Sequence, residues 1–242
     1  MPHTENPYIK QFFPLVTKSI CEGMGALSND DSCYSVSVIE QYAQNIFLRV
    51  AEIDNAFKNV SITMEYLRQK IYEDSEYSFS EHHAHHIENF LLRLTSVVDR
   101  SYLLAGSTIL MKNSDIERIG GNYRVKKELL EHAPVSATIL EKMNDAIADL
   151  RQPRNKVAHQ AGFSSKNLCV LQAIENSEVE SMSMKEITDI IPYNKIKEIV
   201  SDEAIVKYES VLTTIDGLVT ELIDSLSPMY NQILKTKTSI KS

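Results

Sequence analysis

The residue types best suited to chemistry lie in one short stretch, Arg151-Gln152-Pro153-Arg154-Asn155-Lys156-Val157-Ala158-His159. Asn155 and His159 are four residues apart, as are Arg151 and Asn155, so a helix places each pair on one face. Arg154 lies roughly 140° around the helix from His159, but its side chain is long enough to reach the same ligand. An arginine, which is always charged and can bind phosphate, therefore lies near an imidazole that titrates close to neutral pH.

Pro153 interrupts the helical pattern immediately before Arg154. Proline lacks a backbone N–H group, so Pro153 either kinks a helix or occupies the first turn of a new one. In both cases we expect Arg154 and Asn155 to lie at a local helix start. Backbone N–H groups and the helix dipole favour an anion at such a position.

The sequence Arg-Asn-x-x-x-His at 154–159 resembles the signature of the HEPN superfamily, the small all-α domains of many prokaryotic toxins and antiviral ribonucleases. The family pattern is an Arg, usually followed by a polar residue, and a His after four to six intervening positions. Arg154, Asn155 and His159 fit this pattern with four intervening residues, and Val157 and Ala158 suit the small apolar positions before the His. The resemblance covers the helical architecture of most of the chain, and its sharp match is six residues long.

This resemblance implies an endoribonuclease that uses no metal and no cofactor. The RNA 2′-hydroxyl attacks the adjacent phosphorus and leaves a 2′,3′-cyclic phosphate and a free 5′-hydroxyl. His159 would act as general acid or base, Arg154 would hold the scissile phosphate, and Asn155 would orient the imidazole or the phosphate. Family members usually work as homodimers with two Arg/His sites facing one cleft. A toxin or antiviral defence effector of this kind also implies a neutralising or regulatory protein partner.

The chain departs from the family in identifiable places. One toxin branch carries a modified Tyr two residues after the His, where this chain has Ala161. Some members add an acidic or hydroxyl residue from another helix, and Glu88, Asp99 and Ser101 are all candidates. The alternative function is a catalytically inactive HEPN-like helical module that binds RNA or a protein partner.

Charge is unevenly distributed along the chain. The formal net charge is −8, yet residues 118–166 hold 9 basic and 5 acidic side chains, a net charge of +4. This basic segment predicts where a phosphate-bearing ligand enters, with Arg151, Lys156, Lys126 and Lys127 as substrate-binding candidates. The alternative is a solvated helix face, and it suits Lys126 and Lys127 in particular.

A second cluster contains His82, His83, His85 and His86. His82 and His86, four residues apart, could share a metal on one helix face, but two ligands do not make a site. His83 continues the apolar stripe of Ile87, which is typical of a core position. The cluster could also face the same cleft as His159.

Hydrophobic spacing of three and four residues predicts an all-α fold, a bundle of four main helices with short accessory helices. The resemblance implies that this bundle is HEPN-like. Capping boxes at Ser37/Glu40 and Ser78/Glu81 mark two helix starts. Ser201-Asp202 starts the last long helix, which Pro228 kinks or ends. We predict one domain over 1–242, with these parts: an N-terminal extension (1–31), two long helices (32–113, the first over about 33–73 with a bend near 59–61, the second ending near 112–115), a motif-bearing helix (134–160), a polar loop (176–184) and a C-terminal long helix (201–235).

Composition excludes several other classes. The 242 residues include 7 Gly, 7 Pro, no Trp and 3 Cys, and the cysteines at 21, 33 and 169 form neither a disulfide framework nor a zinc knuckle. We expect reduced thiols in a cytoplasmic protein without a signal peptide or membrane span. The chain lacks the phosphate-binding loop, nucleophile elbow and dinucleotide-binding motifs of other enzyme classes.

Overall fold

The structure is a computed structural model that describes residues 1–29, 35–160, 162–176 and 182–239, with side chains throughout except at 182–184 and 236–239. Every regular element in these ranges is helical, which confirms the all-α prediction. None of the helices described is both long and apolar enough to cross a membrane. The predicted helix start near 33, the boundary at 31/32, Cys33, position 161 and part of the polar loop at 176–184 lie outside the described residues.

The described helices follow a short 3₁₀ turn at His3–Glu5. In chain order they are α1 (Pro7–Lys10), α2 (Phe13–Ser28), α3 (Val38–Leu67), α4 (Phe79–Thr108), α5 (Asn113–Ile116), α6 (Gly121–His132), α7 (Pro134–Ala146), α8 (Ala148–His159), α9 (Lys166–Asn176), α10 (Met182–Ile190) and α11 (Tyr193–Ser239).

Both predicted capping boxes are confirmed at the starts of α3 and α4. The Ser37 N–H donates to the Glu40 carboxylate (3.0 Å), and the Glu40 N–H donates to the Ser37 hydroxyl (3.3 Å). Ser78 and Glu81 make the same reciprocal pair, at 2.7 and 3.3 Å. Each box satisfies backbone N–H groups that have no partner inside the helix.

The far end of α3 differs from the prediction, because the helix stops at Leu67 rather than near residue 73. Two side-chain hydroxyls bind carbonyl groups of its last turn. Ser201 donates to the carbonyl of Leu67 (3.0 Å), and Tyr72 donates to that of Tyr66 (2.9 Å). These bonds replace the intrahelical partners that a longer helix would have supplied.

The last long helix also differs from the prediction. It begins at Tyr193 rather than at Ser201, directly after Pro192, and it continues past Pro228 to Ser239. The predictions that it starts at 201 and that Pro228 could end it are wrong. Ser201 is buried inside α11, and its hydroxyl donates to a carbonyl at the end of α3 instead of capping the start of its own helix.

The chain forms two compact units, and α3, α4 and α11 contribute residues to both. The first unit contains Met1–Asn55, Val97–Asp145 and Ile215–Ser242. In its core, Phe12 makes edge-to-face contacts with Tyr42 and Tyr230, at ring distances of 5.8 and 5.4 Å. Edge-to-face packing of this kind is the favoured geometry for aromatic pairs.

Residues of the predicted N-terminal extension belong to that core. Ile9 is fully buried, and His3 lies against the buried Asp54. The Asp54 carboxylate accepts from the His3 backbone N–H (2.7 Å) and from the Thr4 hydroxyl (2.8 Å). Although burial alone would raise the pKa of Asp54, these hydrogen bonds outweigh it and lower that pKa to about 2.

The second unit contains Ala56–Ser96 and Ala146–Thr214. Phe90 stacks on Tyr208 at 4.3 Å in its core. A second buried cluster joins four residues of α4, α9 and α11: Phe79, Leu171, Ile196 and Val200. The Arg154–His159 motif and the histidine cluster both belong to this unit.

Candidate functional site

The Arg154–His159 motif occupies the second half of α8. The backbone of Ile147 (φ −104°, ψ 8°) separates α8 from α7, and Pro153 lies inside α8, where it removes one hydrogen bond without ending the helix. The predictions of one helix over 134–160 and of a local helix start at Arg154 are therefore wrong. The free N–H groups of α8 lie in its first turn, before the motif.

Arg154 is held by hydrogen bonds to two neighbours. Its Nε donates to the Thr95 hydroxyl of α4 (3.3 Å), and its Nη1 donates to Oδ1 of Asn155 (3.1 Å). Thr95 is buried, and its hydroxyl donates to the carbonyl of Leu91 (2.8 Å), so its oxygen is oriented to accept from Arg154. This tether restricts the half-buried guanidinium before any anion binds, which reduces the entropy lost on binding.

His159 is the last residue of α8, and its side chain is exposed. Asn155 lies one turn earlier on the same helical face and is exposed as well. The structure joins Arg154 to Asn155 by a hydrogen bond and leaves the imidazole of His159 accessible to solvent.

The predicted substrate-binding residues fall into two groups. Arg151 and Lys156 are exposed on α8, in the same unit as the motif. Lys126 and Lys127 lie on α6 and belong to the first unit. Lys126 forms an ion pair with Glu141, and this hydrogen bond raises the pKa of Lys126.

Glu88 fixes the chain just beyond the motif. Its Oε1 accepts from the backbone N–H of Phe163 (2.7 Å), and a Cβ built at Gly162 (φ +82°) would lie 2.7 Å from the same oxygen. Asp99 and Ser101 belong to the first unit, where the Asn122 amide donates to Asp99 (3.0 Å). Of the three candidates, Glu88 is the one that shares a unit with the motif.

The histidine cluster is packed among aromatic rings. His82 stacks on Tyr72 at 3.9 Å, with its Nε2 2.6 Å from the Ser75 hydroxyl. His86 stacks on Tyr66 at 4.9 Å. Burial, with smaller contributions from the neighbouring His85 and His82, lowers the pKa of His86 to about 4. These contacts give His82 and His86 a packing role that the spacing alone did not indicate.

A metal site would need more ligands than this pair supplies. Within the described ranges, a group of three ligand-bearing side chains with ligand atoms within 4.8 Å of one another occurs at Glu128, Glu131 and His132. Those side chains are exposed or half-buried on α6, and exposed acidic groups are common in proteins without a bound ion. The residues of the histidine cluster do not belong to that group.

His83 confirms the predicted core position, since its side chain is only 1% exposed. The ring stacks on Phe79 at 5.5 Å. Neither ring nitrogen has a hydrogen-bond partner among the described residues. Burial lowers the pKa of His83 to about 4, with smaller contributions from Lys70 and His86.

His83 also lines a cavity of about 390 Å³ in the second unit. Residues of α4, α8, α11 and the 163–167 segment form its walls. The volume lies in the range of small-molecule sites. This cavity was not predictable from the sequence, because its walls come from chain segments that are far apart along the chain.

Comparisons with family models, with curated proteins and with solved structures found no match for this chain.

Proposed function

We propose that this chain is a HEPN-type endoribonuclease that cleaves RNA without a metal ion. The observation that carries the proposal is the anchored Arg154 guanidinium, five residues before the exposed imidazole of His159 on one helix. A fixed cation suits a phosphate, and an accessible imidazole suits proton transfer near neutral pH. The proposal extends to a HEPN-like arrangement of the helices.

In the proposed reaction, a base removes the proton from the RNA 2′-hydroxyl, and the 2′-oxygen bonds to the adjacent phosphorus. The bond from phosphorus to the 5′-oxygen breaks, and an acid gives that oxygen a proton. The products are a 2′,3′-cyclic phosphate and a 5′-hydroxyl. His159 is the acid or the base, and Arg154 neutralises charge on the phosphorane oxygens. Asn155 accepts from Arg154 through Oδ1, which leaves its amide N–H₂ for the phosphate or the imidazole.

The reaction needs an acid and a base, whereas the motif supplies one imidazole. A homodimer with two Arg154/His159 sites facing one cleft meets this requirement, and it also doubles the positive charge of Arg151 and Lys156 beside the RNA. The exposure of His159 is compatible with a second copy approaching it. Such an activity in the cytoplasm suits a toxin or antiviral defence effector held in check by a protein partner.

The test compares wild type, His159→Ala and Arg154→Ala on total RNA and transfer RNA in excess EDTA, with product ends analysed for cyclic phosphate. His132→Ala is the matched control, because His132 is exposed at the end of another helix. We expect cleavage by wild type and the control, and a loss of at least about a hundredfold in the two motif variants. Cleavage that survives His159→Ala would refute the assignment. RNA binding without cleavage by wild type would favour the inactive module instead.

A further inference from the structure

The cavity around His83 has a lining that is separate from the Arg154, Asn155 and His159 side chains. Its apolar wall comes from α4, α8, α11 and Phe163. This wall contains Ile87, Leu91, Leu150, Pro153, Phe163 and Val200. An apolar wall with a few polar groups at one side is the usual composition of a small-molecule site.

The polar side of the cavity is the start of α9. Ser164, Ser165, Lys166 and Asn167 all line it. The Ser165 hydroxyl caps the helix by accepting from the Leu168 N–H (3.2 Å). The first-turn N–H groups before Leu168 lie beyond the reach of the intrahelical ladder, and they carry the positive end of the helix dipole. This helix end therefore favours a negatively charged group.

The charged side chains around the cavity add to this preference. Lys166 and Lys207 are both lining residues, and Glu203 is the one carboxylate among them. Glu203 accepts a hydrogen bond from the Asn167 amide (2.8 Å). Two lysines against one carboxylate leave a net positive charge, so an anion is the ligand that this wall attracts.

His83 supplies an independent indication of a ligand. It lines the cavity, it is 1% exposed, and both ring nitrogens lack a hydrogen-bond partner among the described residues. A buried imidazole normally has its donor and its acceptor satisfied. The stack on Phe79 would be served equally well by a phenyl ring, so packing alone does not account for a histidine here.

We propose that this cavity binds a small phosphomonoester with an aromatic or apolar group. Its phosphate is bound by Lys166, Lys207 and the start of α9 and accepts a hydrogen bond from the His83 imidazole, and its remainder packs against the apolar wall. A phosphate dianion has enough acceptor oxygens for the lysines, the serine hydroxyls and the free N–H groups together. The site is distinct from the proposed ribonuclease centre, and its occupancy does not depend on RNA cleavage.

The experiment titrates the full-length protein with phenyl phosphate, inorganic phosphate and phenol, using calorimetry and the side-chain ¹⁵N signals of His83. The variants are Lys207→Gln, Lys166→Gln and His83→Phe, which retains the ring stack. Lys58→Gln is the matched control, because Lys58 is exposed in the same unit and does not line the cavity. Circular dichroism establishes that each variant is folded.

We expect phenyl phosphate to bind at least about tenfold more tightly than inorganic phosphate or phenol, and to shift the ¹⁵N signals of His83. Each lysine variant and His83→Phe should weaken binding about tenfold or more, while Lys58→Gln should change it less than about twofold. Absence of phenyl phosphate binding at about 10 mM overturns the proposal. So does equal affinity in Lys207→Gln and Lys58→Gln, an unchanged affinity in His83→Phe, or equal affinity for phenyl and inorganic phosphate, which would indicate an adventitious ion only.

Discussion

Replacing His83 with Phe should make the protein less sensitive to acid. Burial lowers the pKa of His83 from 6.5 to about 4, so the folded state binds fewer protons than the unfolded state between these values. Stability is therefore lost as pH falls through this window and levels off below about 4. A shift from 6.5 to about 4 corresponds to roughly 3 kcal/mol. That is a large part of a typical unfolding free energy of about 5–15 kcal/mol.

The assay is urea unfolding followed by circular dichroism at about pH 7.5, 6.5, 5.5 and 4.5. Carboxylates and other histidines titrate in both proteins, so the difference between wild type and His83→Phe isolates His83. We expect wild type to lose about 2.5 kcal/mol more than His83→Phe over this range, slightly less than the full effect because pH 4.5 lies above the folded-state pKa of about 4. His132→Phe, at an exposed position, should follow wild type. Parallel pH profiles for wild type and His83→Phe would refute the reasoning that burial keeps this imidazole neutral.

Two further predictions concern the surroundings of the motif. Gly162→Ala should lower the unfolding free energy by about 2 kcal/mol, because φ is positive there and the new Cβ would displace the Glu88 carboxylate from its hydrogen bond. Denaturant titration measures the change, and an unfolding free energy equal to that of wild type would contradict the prediction. Thr95→Val should reduce kcat/KM for RNA cleavage about tenfold, because it removes the hydroxyl that accepts from Arg154. Thr95→Ser keeps this hydroxyl and should retain activity. Equal losses of kcat/KM in both variants would indicate a packing defect instead.

Local signals predicted local structure well. The Ser37/Glu40 and Ser78/Glu81 boxes involve residues three positions apart, and the bonds that they imply are present. Helix ends set by distant residues were not predictable in this way. Ser201 has the chemistry of a helix cap, but it lies buried within α11 and binds the carbonyl of Leu67, 134 residues away.

In the candidate site, too, local structure was predictable from the sequence and contacts between distant residues were not. The spacing of Arg154, Asn155 and His159 correctly placed them on one helix, but Pro153 misled the prediction of where that helix begins. The bond from Arg154 to Thr95 joins residues 59 positions apart, and no periodic pattern encodes such a contact. The sequence also did not show that both ring nitrogens of His83 lack a hydrogen-bond partner among the described residues, because hydrogen bonding of a buried side chain depends on the packed structure.

The order of the two units along the chain has a consequence for protein synthesis. The second unit ends at Thr214, whereas the first unit includes a closing segment at Ile215–Ser242. A ribosome therefore synthesises every residue of the second unit, which contains α8, before it reaches Tyr230. Tyr230 is fully buried in the core of the first unit. A premature stop codon just after position 214 would yield a product that contains every residue of the second unit, which carries the motif, but lacks the last segment of the first unit. Because each unit is assembled from separate stretches, no single cut in the gene separates them.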